Sequence, residues 1–291
     1  MSIKVGFIGL GIMGRPQALN LIKGGYPLAV WARRAQSMQP LKEAGATAYG
    51  SPAAVAAASD VTIISVSDTP DVEQVVLGEH GIIHGAKPGS VVVDMSTIAP
   101  AATREIATKL RAKDVEMLDA PVSGGEIGAL NASLTVMVGG KAEVFERVHA
   151  LLACMGKTIT LVGGNGAGQV AKACNQIVVA VTIAAVSEAL TFARKCGVDA
   201  AKVREALLGG FAGSKILEVH GQRMLNNEFK PGFKVKLHQK DMRIVMETAH
   251  QLGVALPAAA LVAQHLNALV GSGDGELDSA AIVKVIERMS H

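Results

Sequence analysis

A polar stretch inside an otherwise apolar segment near the middle of the chain holds the residues best suited to chemistry. Lys172, Asn175 and Gln176 fall within one turn of a predicted helix, where residues three or four apart are neighbours. A lysine and two amides are costly to bury unless a polar group faces them. Reduction of a carbonyl leaves an alkoxide that needs a proton, and a partly desolvated lysine can donate it. The spacing predicts Lys172 as a general acid, with Asn175 and Gln176 as substrate-binding residues beside it. The alternative is a structural lysine that snorkels or pairs with a buried carboxylate.

A glycine pattern at the start of the chain predicts a dinucleotide site. Gly9, Gly11 and Gly14 form GLGIMG directly after a short apolar run and before a helical pattern, which is the context that a GxGxxG motif requires. The first glycine permits a tight turn, the second lets the backbone approach a pyrophosphate, and the third allows helix and strand to pack closely. We assign Ile12 and Met13, within the same turn, to the cofactor as well.

The end of the second predicted strand bears on the choice of cofactor. Dinucleotide-binding proteins that use NAD often place an acidic residue there, whereas those that use NADP place an arginine. This chain has Arg33 and Arg34 at that position, and a guanidinium can pair bidentately with a 2′-phosphate. We therefore expect NADPH or NADH as cofactor, with Arg33 favouring NADPH; the alternative is that the arginines are solvated residues at the start of a helix.

Two further polar stretches, DMSTIAP and DAPVSGG, follow predicted strands. Ligands of open α/β sheets bind beyond the carboxyl ends of the strands, so Thr97, Ser123, Gly124 and Gly125 are expected where cofactor and substrate meet. The backbone N–H groups of Gly124 and Gly125 can bind an anion, although a simple glycine-rich turn has the same sequence.

Four motifs in order along nearly the whole chain, GFIGLGIMG, DAPVSGG, GAGQVAKACNQ and LHQKDM, resemble those of the β-hydroxyacid dehydrogenase family. The resemblance implies that Lys172 is the general acid/base and that Asn175 helps to hold the substrate. It implies that Ser123, Gly124 and Gly125 bind a substrate carboxylate. The substrate would be a small carboxylated aldehyde.

The same resemblance implies further cofactor contacts. Lys240 would approach the nicotinamide, and Val66, Ser67, Asp68 and Thr97 would touch the cofactor. The family pattern after the second strand is usually closer to Asn-Arg-Thr than to Ala32-Arg33-Arg34, which leaves the preference for NADH or NADPH open.

The order of the strands and helices that must position these residues predicts an α/β fold. Short apolar runs alternate with helical patterns in the first half, as in βαβ units of a doubly wound, Rossmann-type parallel sheet. We expect this domain over 1–163, with its last two strands either antiparallel or at an edge. An all-α domain for substrate binding and oligomerisation is expected over 164–291. It begins with a long interdomain helix that ends at Gly197 and is expected to be buried all round, as the core of a helical domain or an oligomer interface would be.

Composition excludes several other classes. The net charge is +3 and basic residues are scattered, which argues against nucleic acid as a partner. The three cysteines lack the spacing of a metal site or a disulfide framework, so we expect no metal and buried thiols in a cytoplasmic protein. We expect no signal peptide, and no membrane span because Asn175 and Gln176 interrupt the longest apolar run.

The resemblance also implies a homodimer or homotetramer. Alternatives within the enzyme class are a reductase of another short semialdehyde or of glyoxylate, and a 3-hydroxyisobutyrate dehydrogenase. An alternative from another class is a regulator that binds a dinucleotide without catalysis, which Lys172 and Asn175 argue against because a pure binder needs no buried acid.

Overall fold

The computed structural model describes residues 3–290 and divides into two compact units. The first unit ends at Lys172 and the second begins at Ala173. The predicted boundary at 163/164 precedes the long helix, whereas this division falls inside it. The difference arises because the first turn of that helix is hydrogen-bonded to the end of a strand in the first unit.

The first unit is built on a largely parallel sheet, in which the described residues form nine strands. Their order is β3-β2-β1-β4-β5-β6-β8-β7, with β9 paired to β8. Strand β8 runs antiparallel to β6 and β7, whereas β9 is parallel to β8. The strands are β1 (Val5–Ile8), β2 (Leu28–Trp31), β3 (Thr47–Ala48), β4 (Val61–Ile64), β5 (Val91–Asp94), β6 (Glu116–Asp119), β7 (Val122–Ser123), β8 (Leu134–Gly139) and β9 (Gly156–Gly163).

Helices cover both faces of this sheet. Leu21 of α1 and Val148 of α7 belong to the apolar core on one face, and Val72 of α4 and Ile106 of α5 belong to the core on the other. Because the central strands β1, β4 and β5 are buried on both faces, they are continuously apolar apart from Gly6, Thr62 and the terminal Asp94. The helices of this unit are α1 (Gly14–Lys23), α2 (Gln39–Glu43), α3 (Pro52–Ala57), α4 (Thr69–Leu77), α5 (Pro100–Arg111), α6 (Gly125–Leu130) and α7 (Ala142–Ala153). The predicted Rossmann-type architecture is confirmed.

Helices form the second unit, as predicted. Its core contains Leu190, Met224, Met242, Leu266 and Val283. Helical patterns in the sequence predict four further helices, over about 199–208, 214–226, 236–252 and 257–270, but not the last helix. The helices are α8 (Ala167–Lys195), which starts in the first unit, α9 (Ala200–Leu208), α10 (Lys215–Leu225), α11 (Val235–Leu252), α12 (Pro257–Gly271) and α13 (Ile282–Met289).

Helix α8 corrects one expectation about burial. It ends as predicted near Gly197, whose φ of +72° suits glycine. Within a single chain it is not buried all round, because Val178 and Phe192 are 65% and 72% exposed. Among the described helices, α8 alone is long and apolar enough to cross a membrane by length and composition, but half of its most apolar window is buried within the protein. The core helix of a soluble protein can have the same length and apolar composition.

The cysteines correct a second expectation. Cys154 is partly buried, but Cys174 and Cys196 are exposed instead of buried. The average burial of free cysteine does not indicate which face of a helix a given position occupies, and these two positions lie on the outer side of α8 and just after its end.

One buried carboxylate organises the second unit. Asp278 is fully buried, accepts hydrogen bonds from the backbone N–H groups of Gly232 and Phe233 at 2.9 and 3.0 Å, and pairs with Arg223 at 2.7 Å. Burial disfavours its charge, but His220 and the backbone N–H groups outweigh burial and hold the pKa of Asp278 well below its ordinary value. This carboxylate fastens the segment before α11 to the start of the C-terminal helical stretch.

Candidate active site

The glycine turn after β1 has the shape that a dinucleotide needs. A Cβ on Gly9, which has a φ of +95°, would lie 2.2 Å from the carbonyl oxygen of Ser65. A Cβ on Gly14 would lie 1.9 Å from the carbonyl oxygen of Gly9, so neither position accepts a larger residue. A Cβ added to Gly11 would have no described atom within 4 Å. Met13 is the N-cap residue of α1, and its side chain makes no hydrogen bond to the N–H groups of the first turn. The turn therefore leaves both room and backbone N–H groups for a pyrophosphate.

The loops after β4 and β5 lie beside this turn and are held to each other. The backbone N–H of Val66 donates to the hydroxyl of Ser96 at 2.9 Å. Asp68 caps helix α4 by accepting from the N–H of Thr69 at 2.7 Å. Ser67 and Thr97 lie in the same two loops, exposed and half-buried respectively. The predicted cofactor residues of the glycine turn and of these two loops thus meet at the carboxyl ends of β1, β4 and β5.

The turn before α6 holds the predicted carboxylate-binding residues. Ser123 ends β7, and Gly124 and Gly125 follow with φ values of +130° and +62°. Both glycines have positive φ values, which other residues adopt only with strain. Asn20 of α1 donates to the carbonyl oxygen of Ala129 at 2.8 Å and so fixes α6 against the nucleotide-binding helix. The turn can present backbone N–H groups to an anion.

Two residues that sequence reasoning did not assign to the site anchor the start of helix α8. Asp119, at the end of β6, accepts from the backbone N–H groups of Gly166 at 2.8 Å and Gln169 at 3.0 Å. Burial raises the pKa of Asp119, and the hydrogen bonds from Gly166 and Gln169 oppose that shift. The position of Asp119 in DAPVSGG, directly at a strand end, was the available signal.

Gln169 joins the same helix to the loop that carries Thr97. Its side chain is 1% exposed, accepts from the N–H of Ile98 at 3.2 Å and donates to the carbonyl oxygen of Ser96 at 2.8 Å. Lys172 follows one turn later on α8 and is 7% exposed. Asp119 and Gln169 therefore set where the predicted general acid stands relative to the ends of β5 and β6.

The predicted site residues of the second unit form one hydrogen-bonded chain. Asn175 donates to the side-chain oxygen of Gln176 at 2.7 Å, and Gln176 donates to Asp241 at 2.6 Å. Lys240 pairs with the other oxygen of Asp241 at 2.7 Å. Both amide atoms of Gln176 serve this chain, so in this structure Gln176 orients Asn175. Asp241, which is buried, anchors this chain and was not assigned to the site from the sequence.

The arginine after β2 has a neighbour that the sequence did not indicate. Arg33 is 84% exposed and lies 3.4 Å from Asp71 in the first turn of α4. Its predicted role toward a 2′-phosphate stays a prediction. Within residues 3–290 there is no cluster of three or more His, Cys, Asp or Glu side chains that could hold a metal ion.

Comparison with known proteins places this geometry in a family. Residues 4–164 match the family model for the NAD binding domain of 6-phosphogluconate dehydrogenase. Residues 166–286 match that for the NAD-binding region of NADP-dependent 3-hydroxyisobutyrate dehydrogenase. The two models meet where the sheet ends and α8 begins.

Individual relatives span the whole chain. The chain is 47% identical over 289 residues to 2-hydroxy-3-oxopropionate reductase of Escherichia coli, covering 99% of both. It is 39% identical to a probable mitochondrial 3-hydroxyisobutyrate dehydrogenase-like protein of Arabidopsis thaliana, covering 100% of this chain and 87% of the other. The solved structure of Mycobacterium tuberculosis 3-hydroxyisobutyrate dehydrogenase with L-serine superposes with a TM-score of 0.90 at 29% identity, covering 98% of this chain and 99% of that one.

These matches agree with the dinucleotide turn, the sheet order and the lysine-bearing helix, and they confirm the resemblance stated from the sequence. The chain belongs to the 3-hydroxyisobutyrate dehydrogenase-like β-hydroxyacid dehydrogenases and is an NAD(P)-binding oxidoreductase.

Proposed function

We propose that this enzyme reduces tartronate semialdehyde (2-hydroxy-3-oxopropanoate) to D-glycerate, with Lys172 as the general acid. The observation that carries the proposal is the 47% identity to 2-hydroxy-3-oxopropionate reductase along 99% of both chains. The expected homodimer or homotetramer and the cytoplasmic location are part of the same proposal.

The residues of the first unit suit each part of such a substrate. The Ser123 hydroxyl and the backbone N–H groups of Gly124 and Gly125 would bind the carboxylate and so orient the carbonyl group. A bound nicotinamide dinucleotide supplies the hydride. Lys172, buried one turn beyond Gln169, donates a proton to the carbonyl oxygen as negative charge develops there, and the aldehyde becomes a primary alcohol.

Positioning of the reacting groups is a second contribution to this reaction, beside acid catalysis. Holding the reacting groups in the right geometry lowers a barrier by roughly 7 to 11 kcal/mol in well-oriented systems. Here the turn at Gly124 is fixed through α6 and Asn20, and the helix that bears Lys172 is fixed through Asp119 and Gln169. These hydrogen bonds lie within the first unit, which also contains the nucleotide turn.

A second candidate, 3-hydroxyisobutyrate oxidation, is supported by the 39% identity to a probable 3-hydroxyisobutyrate dehydrogenase-like protein. This oxidation would use the same carboxylate-binding turn, and Lys172 would accept a proton from the substrate hydroxyl instead of donating one to a carbonyl oxygen. Apart from the reacting group, the two substrates differ in one substituent on the carbon that bears the carboxylate. This substituent is a hydroxyl in tartronate semialdehyde and a methyl group in 3-hydroxyisobutyrate.

A substrate panel tests the proposal. Steady-state kcat/KM is measured for tartronate semialdehyde, succinic semialdehyde, glyoxylate and 3-hydroxyisobutyrate, each with NAD and NADP in the appropriate redox state. We expect the highest kcat/KM for tartronate semialdehyde. A higher value for any other member of the panel would overturn this assignment and leave the family membership intact.

A further inference from the structure

The hydrogen-bonded chain around Asp241 has a direction, because the two charged groups at its start cannot exchange donor and acceptor roles. The carboxylate of Asp241 only accepts hydrogen bonds, and the ammonium group of Lys240, 2.7 Å from one of its oxygens, only donates them. Asp241 and Gln176 are 4% and 3% exposed, so their polar atoms depend on partners within the protein. Each amide further along the chain must therefore adapt to the carboxylate.

The carboxylate of Asp241 fixes the orientation of the two amides. Gln176 must present its Nε2 to Asp241, at 2.6 Å, and this leaves its Oε1 as an acceptor on the other side. Asn175 must then present its Nδ2 to that oxygen, at 2.7 Å, so its own Oδ1 is not used by the chain. Among residues 3–290, Oδ1 of Asn175 has no hydrogen-bond partner. The buried carboxylate thus leaves Asn175 with an available acceptor.

The available oxygen of Asn175 restricts the substrate group that it can bind. Asn175 lies one turn beyond Lys172 on α8, so the two side chains share a face of that helix. The carboxylate and the aldehyde oxygen of tartronate semialdehyde only accept hydrogen bonds, and its 2-hydroxyl is its one donor. In the proposed function, on which this step rests, the turn at Gly124 binds the carboxylate and Lys172 faces the aldehyde oxygen. The 2-hydroxyl is the group that remains for Asn175.

We infer that Asp241 is a positioning residue for substrate selection. Through Gln176 it holds Asn175 so that Oδ1 accepts a hydrogen bond from a hydroxyl on the carbon that bears the carboxylate. A methyl group at that carbon, as in 3-hydroxyisobutyrate, donates no hydrogen bond and leaves this oxygen unsatisfied. A substituent that can only accept, such as fluorine, is disfavoured for the same reason.

Exchange of an acid and an amide can reverse the direction of the chain and then restore it. In Asp241→Asn, Lys240 holds the oxygen of the introduced amide, so the nitrogen of that amide donates to Gln176. Both following amides then turn over, and Asn175 presents N–H groups instead of an oxygen. The double variant Asp241→Asn with Gln176→Glu places a carboxylate at position 176, which accepts from both neighbours. Asn175 then presents Oδ1 again.

Binding of two ligands to the full-length protein loaded with its reduced cofactor tests this inference, with cofactor fluorescence as the signal. The ligands are D-glycerate and its analogue with fluorine in place of the 2-hydroxyl, and neither contains an aldehyde that could be reduced. Asn175→Ala removes the acceptor and keeps the buried charge. Glu247→Gln is the matched control for Asp241→Asn, because it removes one carboxylate from an exposed position of the same helix. Thermal unfolding of each variant verifies the fold.

The wild type should bind D-glycerate at least ~10-fold more tightly than the fluorinated ligand, because two facing acceptors lose a hydrogen bond of that worth. This ratio should fall at least ~3-fold in Asp241→Asn and in Asn175→Ala. It should stay within about 2-fold of the wild-type ratio in the double variant and in Glu247→Gln. A general loss of structure would instead weaken both ligands alike.

Three results would each overturn the inference: a smaller wild-type ratio, including no binding of either ligand, a smaller fall in Asp241→Asn, or a ratio in the double variant as low as in Asp241→Asn. If Asp241→Asn does not fold, Asn175→Ala and the double variant, which keeps the charge, decide by the same criteria. The ratio can fail while the substrate panel still ranks tartronate semialdehyde first, so the two proposals fail separately.

Discussion

Replacing Gln169 by methionine tests the hydrogen bonds that tie helix α8 to the cofactor loops. Methionine has nearly the same size and shape, so the substitution removes polar atoms and leaves packing in place. It would leave the buried N–H of Ile98 and the carbonyl oxygen of Ser96 without their side-chain partner. Each such loss costs about 1 to 3 kcal/mol. Since the variant no longer buries an amide, we expect a net loss of about 2 to 4 kcal/mol in the free energy of unfolding.

Gln17→Met is the matched control, because it makes the same chemical change in the same unit with the opposite expected sign. Gln17 is fully buried on α1, and neither its amide nitrogen nor its amide oxygen has a hydrogen-bond partner among residues 3–290. Removing an unsatisfied buried amide should stabilise the protein by about 1 to 3 kcal/mol.

Thermal unfolding measured by calorimetry distinguishes these expectations. For a unit of this size, 1 kcal/mol corresponds to about 2 to 4 °C in Tm. We expect Gln169→Met to lower the Tm of the first unit by about 4 to 16 °C and Gln17→Met to raise it by about 2 to 12 °C. Shifts of the same sign and size in the two variants would refute the reasoning, because the hydrogen bonds would then make no difference.

Two further predictions concern the glycine turn and the buried carboxylate. Gly125→Ala and Gly89→Ala both place a methyl group at positive φ, +62° and +81°, with nothing within 4 Å, so each should cost about 1 to 2 kcal/mol in urea unfolding. Only Gly125→Ala should raise KM for the aldehyde, by at least ~10-fold; an equal effect of Gly89→Ala on KM would exclude a special role for the turn. Asp278→Asn should cost about 3 to 5 kcal/mol at neutral pH because it leaves Arg223 without its partner. The pKa of Asp278 is lowered from 3.8, so the ionised group stabilises the fold above that pH and progressively less below it. The difference in urea midpoint between wild type and Asp278→Asn should therefore shrink in acid, and a difference that grew would contradict the assigned charge state.

The architecture could be predicted from the sequence because most of its strands and helices have recognisable short sequence patterns. Central strands buried on both faces are short apolar runs, and Gly9 and Gly197 mark a tight turn and a helix end that only certain backbone conformations allow. Helix α13 carried a signal of the same kind, since Ile282, Val283, Val285 and Ile286 have helical spacing, but the segment is short.

The parts of the site that the sequence did not reveal depend on contacts between distant segments. Gln169 bonds to residues about 70 positions away, and Asp119 holds a helix about 50 positions further along the chain. No periodicity or spacing encodes such pairs. The exposure of Val178 on α8 also depends on distant segments. An apolar helix face in the sequence does not show how much of that face the neighbouring helices cover.

Replacement of Lys172 tests the central claim most directly. Lys172→Ala is compared with Lys195→Ala, an exposed lysine at the end of the same helix, for kcat on tartronate semialdehyde and for cofactor affinity by fluorescence titration. If Lys172 is the general acid, its replacement lowers kcat by at least ~100-fold and changes cofactor affinity by less than about 3-fold, whereas Lys195→Ala alters neither. Near-normal turnover in Lys172→Ala would contradict the account.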